Sequence, residues 1–188
     1  MSFTLDYLKE VVHICHNLAV VEIEALVSEM VNLRDRGGRL FMVGLGGSAA
    51  NCSHAVNDFR KLCDIEAYSP CDNMAELTAR GNDEGWKTIF ANAFWRPQDA
   101  LFVLSVGGGT TEVSVPILYA LEAALHINMR ILGIVGRQGG YTKKYGHCVV
   151  VVPTVEPARV TPHTEAFQSV ILHLLVSHPK LQKAKTKW

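Results

Sequence analysis

The chain has 188 residues and no surplus of charge: 18 lysines and arginines stand against 18 aspartates and glutamates. That balance gives no electrostatic reason to expect a nucleic acid or other polyanion as partner. No apolar run approaches the roughly 20 residues that a membrane-spanning helix needs, so no membrane partner is expected. The N-terminus, MSFTLDYLKEVVH, has acids early and lacks the apolar core of a secretory signal. The five cysteines, at 15, 52, 63, 71 and 148, are odd in number and unpaired in spacing. They read as buried thiols rather than a disulfide framework, and they imply a reducing, cytoplasmic location. Solenoid repeats and low-complexity segments are absent. No Gly-Lys-Ser/Thr follows a glycine-rich turn, which excludes a Walker A loop.

What is present centres on Arg39–Asp58. Leu40-Phe41-Met42-Val43 is short and apolar enough for a buried strand. Gly44, Gly46, Gly47 and Ser48 form a turn, and a helix follows to about Leu62. A glycine turn between strand and helix aims backbone N–H groups and the positive end of the helix dipole at one spot, which suits an anion. A second strand of this kind, Ala100–Ser105, runs into Gly107-Gly108-Gly109-Thr110-Thr111 and a helix over 112–126. Thr110 or Thr111 can also cap that helix. Gly44, Gly46 and Ala49 formally fit the dinucleotide fingerprint, with Asp64 as its acid. Yet Asp64 precedes the next strand instead of ending it, and the fingerprint leaves the second turn unexplained.

The rest of the chain alternates. Helical periods cover 5–16 and 20–36. Ile65–Ser69 reads as a strand, Asn73–Ala79 as a short helix, 81–83 as a turn and Glu84–Trp95 as a helix. Strands Arg130–Val135 and His147–Val152 follow, with a turn or short helix at 139–146 between them. A last helix begins near Pro162 and runs to Ser177. Alternation implies a parallel sheet covered on both faces, with both glycine turns on its carboxyl edge, where open α/β sheets bind ligands.

His54 and Asp58 are four residues apart and share a helix face. Glu165 and His173 are eight apart, a little over two turns, on one broad face with Val170, Ile171 and Leu174. Carboxylates and imidazoles on apolar helices need partners. Meeting each other, the two pairs would form a His₂-carboxylate₂ cluster suited to Zn²⁺ or a similar ion, or to general acid–base work.

These motifs resemble the sugar isomerase (SIS) domain and, within it, the phosphoheptose isomerase group, over almost the whole chain. The family's Gly-Asn-Gly-Gly-Ser loop appears as Gly44-Leu45-Gly46-Gly47-Ser48, and its Gly-Asn-Asp turn as Gly81-Asn82-Asp83. Its phosphate loop aligns with Ser105-Val106-Gly107-Gly108-Gly109-Thr110. The family's metal-site histidine falls on His54, its catalytic glutamate on Asp58, a glutamine on Glu165 and the catalytic histidine on His173. The resemblance implies a three-layer α/β/α sandwich around a five-stranded parallel sheet, one domain over 1–188. It also implies a homotetramer packed through the N-terminal helices of 1–37.

The implied activity is interconversion of sedoheptulose 7-phosphate and D-glycero-D-manno-heptose 7-phosphate, or a related pair, through an enediol. Asp58 and His173 are the implied acid–base pair, and His54, Asp58, Glu165 and His173 the implied ligands of a divalent metal, a donor set suited to Zn²⁺. The substrate contacts are Gly46, Gly47, Ser48, Asn82, Asp83, Ser105, Gly107, Gly108, Thr110 and Thr111. The departures, Leu45 for asparagine and Val106 and Gly107 for hydroxyl residues, imply a changed substrate or binding mode. The other reading is a non-catalytic tetramer of this fold that binds a replication initiator or senses sugar phosphates.

Overall fold

The computed structural model describes residues 2–91 and 95–185. Five parallel strands form one sheet: β1 (Leu40–Val43), β2 (Ala67–Tyr68), β3 (Ala100–Ser105), β4 (Arg130–Val135) and β5 (Cys148–Val151). Their order is β2-β1-β3-β4-β5. From β1 the chain winds outward to β2, then returns to β1's other side and proceeds through β3, β4 and β5. The carboxyl ends of β1 and β3, which pair from Leu40 with Ala100 to Val43 with Val103, therefore flank the point where winding reverses. Open α/β sheets bind ligands in that crevice.

Every residue of β1 and β3 is buried, as expected for strands covered on both faces. Alternate residues enter two cores. Leu40, Met42, Phe102 and Leu104 meet α2 (Val20–Asp35), α3 (Gly47–Cys63) and α7 (Val160–Ser177). Phe41, Val43, Leu101 and Val103 meet α5 (Val115–His126). The expected three layers are present.

Local chemistry moves some boundaries. Helix α4 spans Met74–Asp83, so Gly81-Asn82-Asp83 is helical and not a separate turn. Asn73 caps its start through Glu76 N–H, and Arg80 grips both Glu76 and Glu84, carrying the helix through Gly81. The expected helix over Glu84–Trp95 is replaced by a 3₁₀ turn at Trp86–Thr88, which follows Gly85 at φ +93°; residues 92–94 lie outside the described set. Helix α5 begins at Val115 and not at 112, because the Thr110 hydroxyl accepts the N–H groups of Glu112 and Val113 and folds them into the preceding turn. The short helix α6 spans Gly140–Tyr145.

Helix α1 (Phe3–Asn17) buries Ile14 but leaves Phe3, Leu5, Leu8 and Val12 exposed. It is pinned to α7 by Glu10, whose carboxylate accepts from Arg159 Nε at 2.9 Å and lies 2.8 Å from His163 Nε2. The hydrogen bonds from Arg159 and then His163 hold the Glu10 carboxyl at about 2 against an ordinary 4.5. A carboxylate so depressed stabilises the fold above its ordinary pKa, and that stabilisation disappears as pH falls from 4.5 toward 2. Glu10→Gln is therefore expected to unfold at lower urea than the parent at neutral pH, with the two midpoints converging across that acid range. A gap that persists unchanged into acid contradicts this account of the α1–α7 clamp.

Candidate functional site

Both glycine turns open onto the crevice between β1 and β3. The second is held rigidly. Gly108 N–H donates to Ser105 Oγ at 3.0 Å, while Thr142 donates to the Gly108 carbonyl through its N–H at 2.9 Å and its hydroxyl at 2.8 Å. Gly108 has φ +72°, and a β-carbon there would lie 1.8 Å from the Gly139 carbonyl oxygen, so only glycine fits. The turns enclose a cleft of about 380 Å³. Leu45 and Ser48 line it from the first turn, Ser105, Val106, Gly107 and Thr110 from the second, with Arg137 and Thr161 beyond. Gly46, Gly47, Gly108 and Thr111 belong to the same turns without being among its lining residues. Thr110 divides its hydroxyl between the cleft and its own turn.

Helix α3 leaves the first turn and packs along α7. A run of buried and half-buried polar side chains joins them. Gln168 Nε2 donates to Ser48 Oγ at 3.1 Å, Asn51 Nδ2 donates to Gln168 Oε1 at 3.0 Å, and Ser169 donates to Asn51 Oδ1 at 3.0 Å. Asn51 also donates to the Glu165 carbonyl at 2.9 Å. Ser48 and Gln168 are almost wholly buried, so each depends on the other for its hydrogen bonds.

Farther along the same two helices, His54, Asp58 and His173 converge. Their ligand atoms all lie within 4.8 Å of one another. The two Nε2 atoms are 3.0 Å apart, and Asp58 Oδ2 is 3.3 Å from His54 Nε2 and 3.8 Å from His173 Nε2. An ion bound tetrahedrally at about 2.0–2.1 Å separates its donors by about 3.3 Å, so two imidazoles and a carboxylate at these spacings fit Zn²⁺. Asp58 is mostly buried, with 12% of its side chain exposed, whereas His54 and His173 expose 56% and 52% of theirs.

Glu165 does not join that group. Its carboxylate rests on Gly47 at the N-terminus of α3, where a β-carbon on Gly47 would come within 2.5 Å of Oε2. The positive end of α3 faces this negative charge. Thus three of the four residues expected as a cluster come together, and the fourth sits at the first glycine turn. Asn82 and Asp83 lie at the exposed end of α4, where Asn82 Nδ2 donates to Asp83 Oδ1 at 2.7 Å, and neither is among the residues lining the cleft. Asp64 caps the end of α3 in the left-handed region, before β2, as the argument against a dinucleotide site requires.

The sequence reading missed Asn51, Gln168 and Ser169, which position the helices, and Arg137 and Thr161 at the cleft. A signal for the first three existed: Ser48 and Asn51 are three apart, and Glu165, Gln168 and Ser169 recur at three and four, giving two small polar stripes on otherwise apolar faces.

No protein-family model matches the chain. A phosphoheptose isomerase of Geotalea daltonii is 30% identical over 162 residues, spanning 82% of this chain and 80% of that one. The solved structure of a phosphoheptose isomerase from Neisseria gonorrhoeae superposes with a TM-score of 0.80 at 22% identity, covering 92% of this chain and 95% of that one. One from Francisella tularensis gives 0.81 at 22% identity, covering 94% and 97%. The two structures share this fold.

Replacing Gln168 by leucine removes the central member of the α3–α7 run and strands the buried Ser48 hydroxyl, while Asn51 keeps its bonds to the Glu165 carbonyl and Ser169. A buried polar group left without a partner costs about 1–3 kcal/mol. Urea unfolding of Gln168→Leu is expected to show a loss of that order, and a variant as stable as the parent would remove the run from the structural account.

Proposed function

The chain belongs to the phosphoheptose isomerase family, and from that premise we propose that it is an aldose–ketose isomerase acting on a phosphorylated sugar. The proposed reaction interconverts sedoheptulose 7-phosphate and D-glycero-D-manno-heptose 7-phosphate. The observation that carries this reading is the convergence of His54, Asp58 and His173 from two helices, one of which, α3, starts at the cleft by the sheet's winding reversal.

The reaction moves a proton between adjacent carbons through an enediol. Asp58 and His173 are the proton-handling pair: one accepts the proton from the carbon beside the carbonyl, and the other serves the oxygens as the enediol forms and collapses. Asp58 is held by burial on α3 and His173 by α7, so their separation is set by the helix packing and not by a loop. His54, Asp58 and His173 are the proposed holders of a divalent ion, and such an ion, when bound, polarises the substrate carbonyl. Three protein donors leave a coordination position open, the pattern of catalytic and not of structural zinc. Glu165 is the expected fourth donor, but its carboxylate rests at Gly47 on the first glycine turn.

Ser105, Thr110 and Thr111, with the amide of Gly107, are proposed to hold the phosphate, while Gly108 shapes the loop and gives its own amide to Ser105. Gly46, Gly47 and Ser48 face them across the crevice. Asn82 and Asp83 enter as substrate contacts through the family resemblance alone. Exposed apolar residues on α1 (Phe3, Leu5, Leu8, Val12), together with Val170 and Leu174 beside the half-exposed His173, support a homotetramer that covers the site. No single helix among the described residues is long and apolar enough to cross a membrane. The free cysteines support a reducing, cytoplasmic location.

Leu45 and Val106 make part of the cleft apolar, and they favour a second reading in which the protein binds a sugar phosphate without turnover. Activity decides between them. Metal-loaded protein is expected to isomerise sedoheptulose 7-phosphate, and Asp58→Asn or His173→Gln is expected to lower kcat by about 10²–10⁴. Binding of the sugar phosphate without turnover, unaffected by either substitution, would leave the non-catalytic reading. Light scattering that gives a monomer would remove the proposed tetramer.

A further inference from the structure

We propose that Arg137 is the cationic anchor for the substrate phosphate, and so a specificity-determining residue that selects phosphorylated over neutral ligands. This rests on the reading that a phosphorylated ligand occupies the cleft. Among the described residues, Arg137 is the one charged residue lining it. It sits in the turn between β4 and α6, opposite Ser105 and Thr110.

Three observations converge on this side chain. First, its guanidinium holds no hydrogen bond or ion pair among the described residues. Arg34, Arg36, Arg39, Arg60, Arg80, Arg130 and Arg159 each bind protein oxygens. Second, the neutral donors around it are already partly engaged. Gly108 N–H is given to Ser105, and the Thr110 hydroxyl closes its own turn. Val106 and Gly107 carry no polar side chain. A phosphate monoester brings a charge of about −1.5 to −2 at neutral pH, which such a loop does not neutralise. A guanidinium supplies charge and a two-pronged donor, and charge-assisted bonds are about twice as strong as neutral ones.

Third, the backbone fixes where the side chain starts. Arg137 has φ +51°, within a turn closed by Gly139 N–H donating to the Gly136 carbonyl at 2.9 Å. Gly136 is packed so tightly against α7 that a β-carbon there would lie 2.2 Å from Thr164 Oγ1. Gly139 in turn meets the phosphate-loop glycine, Gly108. The arginine thus stands on a platform wedged between α7 and the second glycine turn.

The test uses Arg137→Gln, Arg137→Lys and Arg137→Gly in the metal-loaded full chain. The glycine variant suits the left-handed backbone, so it keeps the fold if glutamine does not. Calorimetric titration with inorganic phosphate is expected to show about tenfold weaker binding for the glutamine and glycine variants, with lysine between them and the parent. KM for sedoheptulose 7-phosphate is expected to rise by a similar factor, with kcat within about twofold. Phosphate bound equally by parent and both neutral variants, or not bound by the parent, overturns the inference. The phosphate titration needs no turnover. If phosphate binding depends on Arg137 while no sugar phosphate is isomerised, the anchor stands and the isomerase reading falls. If turnover is intact with KM unchanged in the variants, the reverse holds.

Discussion

Ser48, Gln168, Asn51 and Ser169 are linked in one run of hydrogen bonds, buried at Ser48 and Gln168, between α3 and α7, and the geometry of the site descends from it. Apolar contacts between the helices are non-directional and would tolerate sliding or rotation. Buried amides and hydroxyls do not, because a shift by one residue would leave several of them unpaired. The register they impose sets His54 and Asp58 opposite His173, about one and two turns farther along. It also places Glu165 against Gly47 at the start of α3.

The sheet supplies the second constraint. Because β1 and β3 are neighbours, their two glycine turns are too, although about 60 residues of chain separate them. The first turn meets a carboxylate of the chain's own, Glu165, at the positive end of α3. The second has its carbonyls held by the first turn of α6, and it faces Arg137. The two turns therefore differ in charge as well as in place. In the proposed binding mode, a sugar phosphate with its phosphate at the second turn and its carbonyl end toward α3 and α7 would meet a cation at one end and the proposed proton-handling pair at the other.

Much of this was legible from residue order. Short apolar runs leading into glycine turns, of four residues for β1 and six for β3, located those strands, and helical spacing located α2, α3 and α7 with their ends within a few residues. His54 and Asp58 could be paired from spacing alone. That His173 would meet them across two helices could be suggested only by the cost of leaving such groups unpartnered, and by resemblance. Glu165 was legible as a ligand-capable residue but not as a neighbour of Gly47, since its distance from His173 along α7 says nothing of which turn of α3 it faces. The expected helix over Glu84–Trp95 misread a segment in which Gly85, at φ +93°, breaks the period. Arg137 carried no local signal: it lies in a turn between two glycines, and only the fold brings that turn to the cleft.

The central claim is that α3 and α7 present two imidazoles and a carboxylate to one point. Zinc-edge X-ray absorption on the purified full chain tests it most directly. The account predicts one ion per chain with two imidazole ligands and an oxygen donor, falling to one imidazole in His54→Gln. A chain that binds no zinc, or binds it without imidazole in the coordination shell, would contradict it.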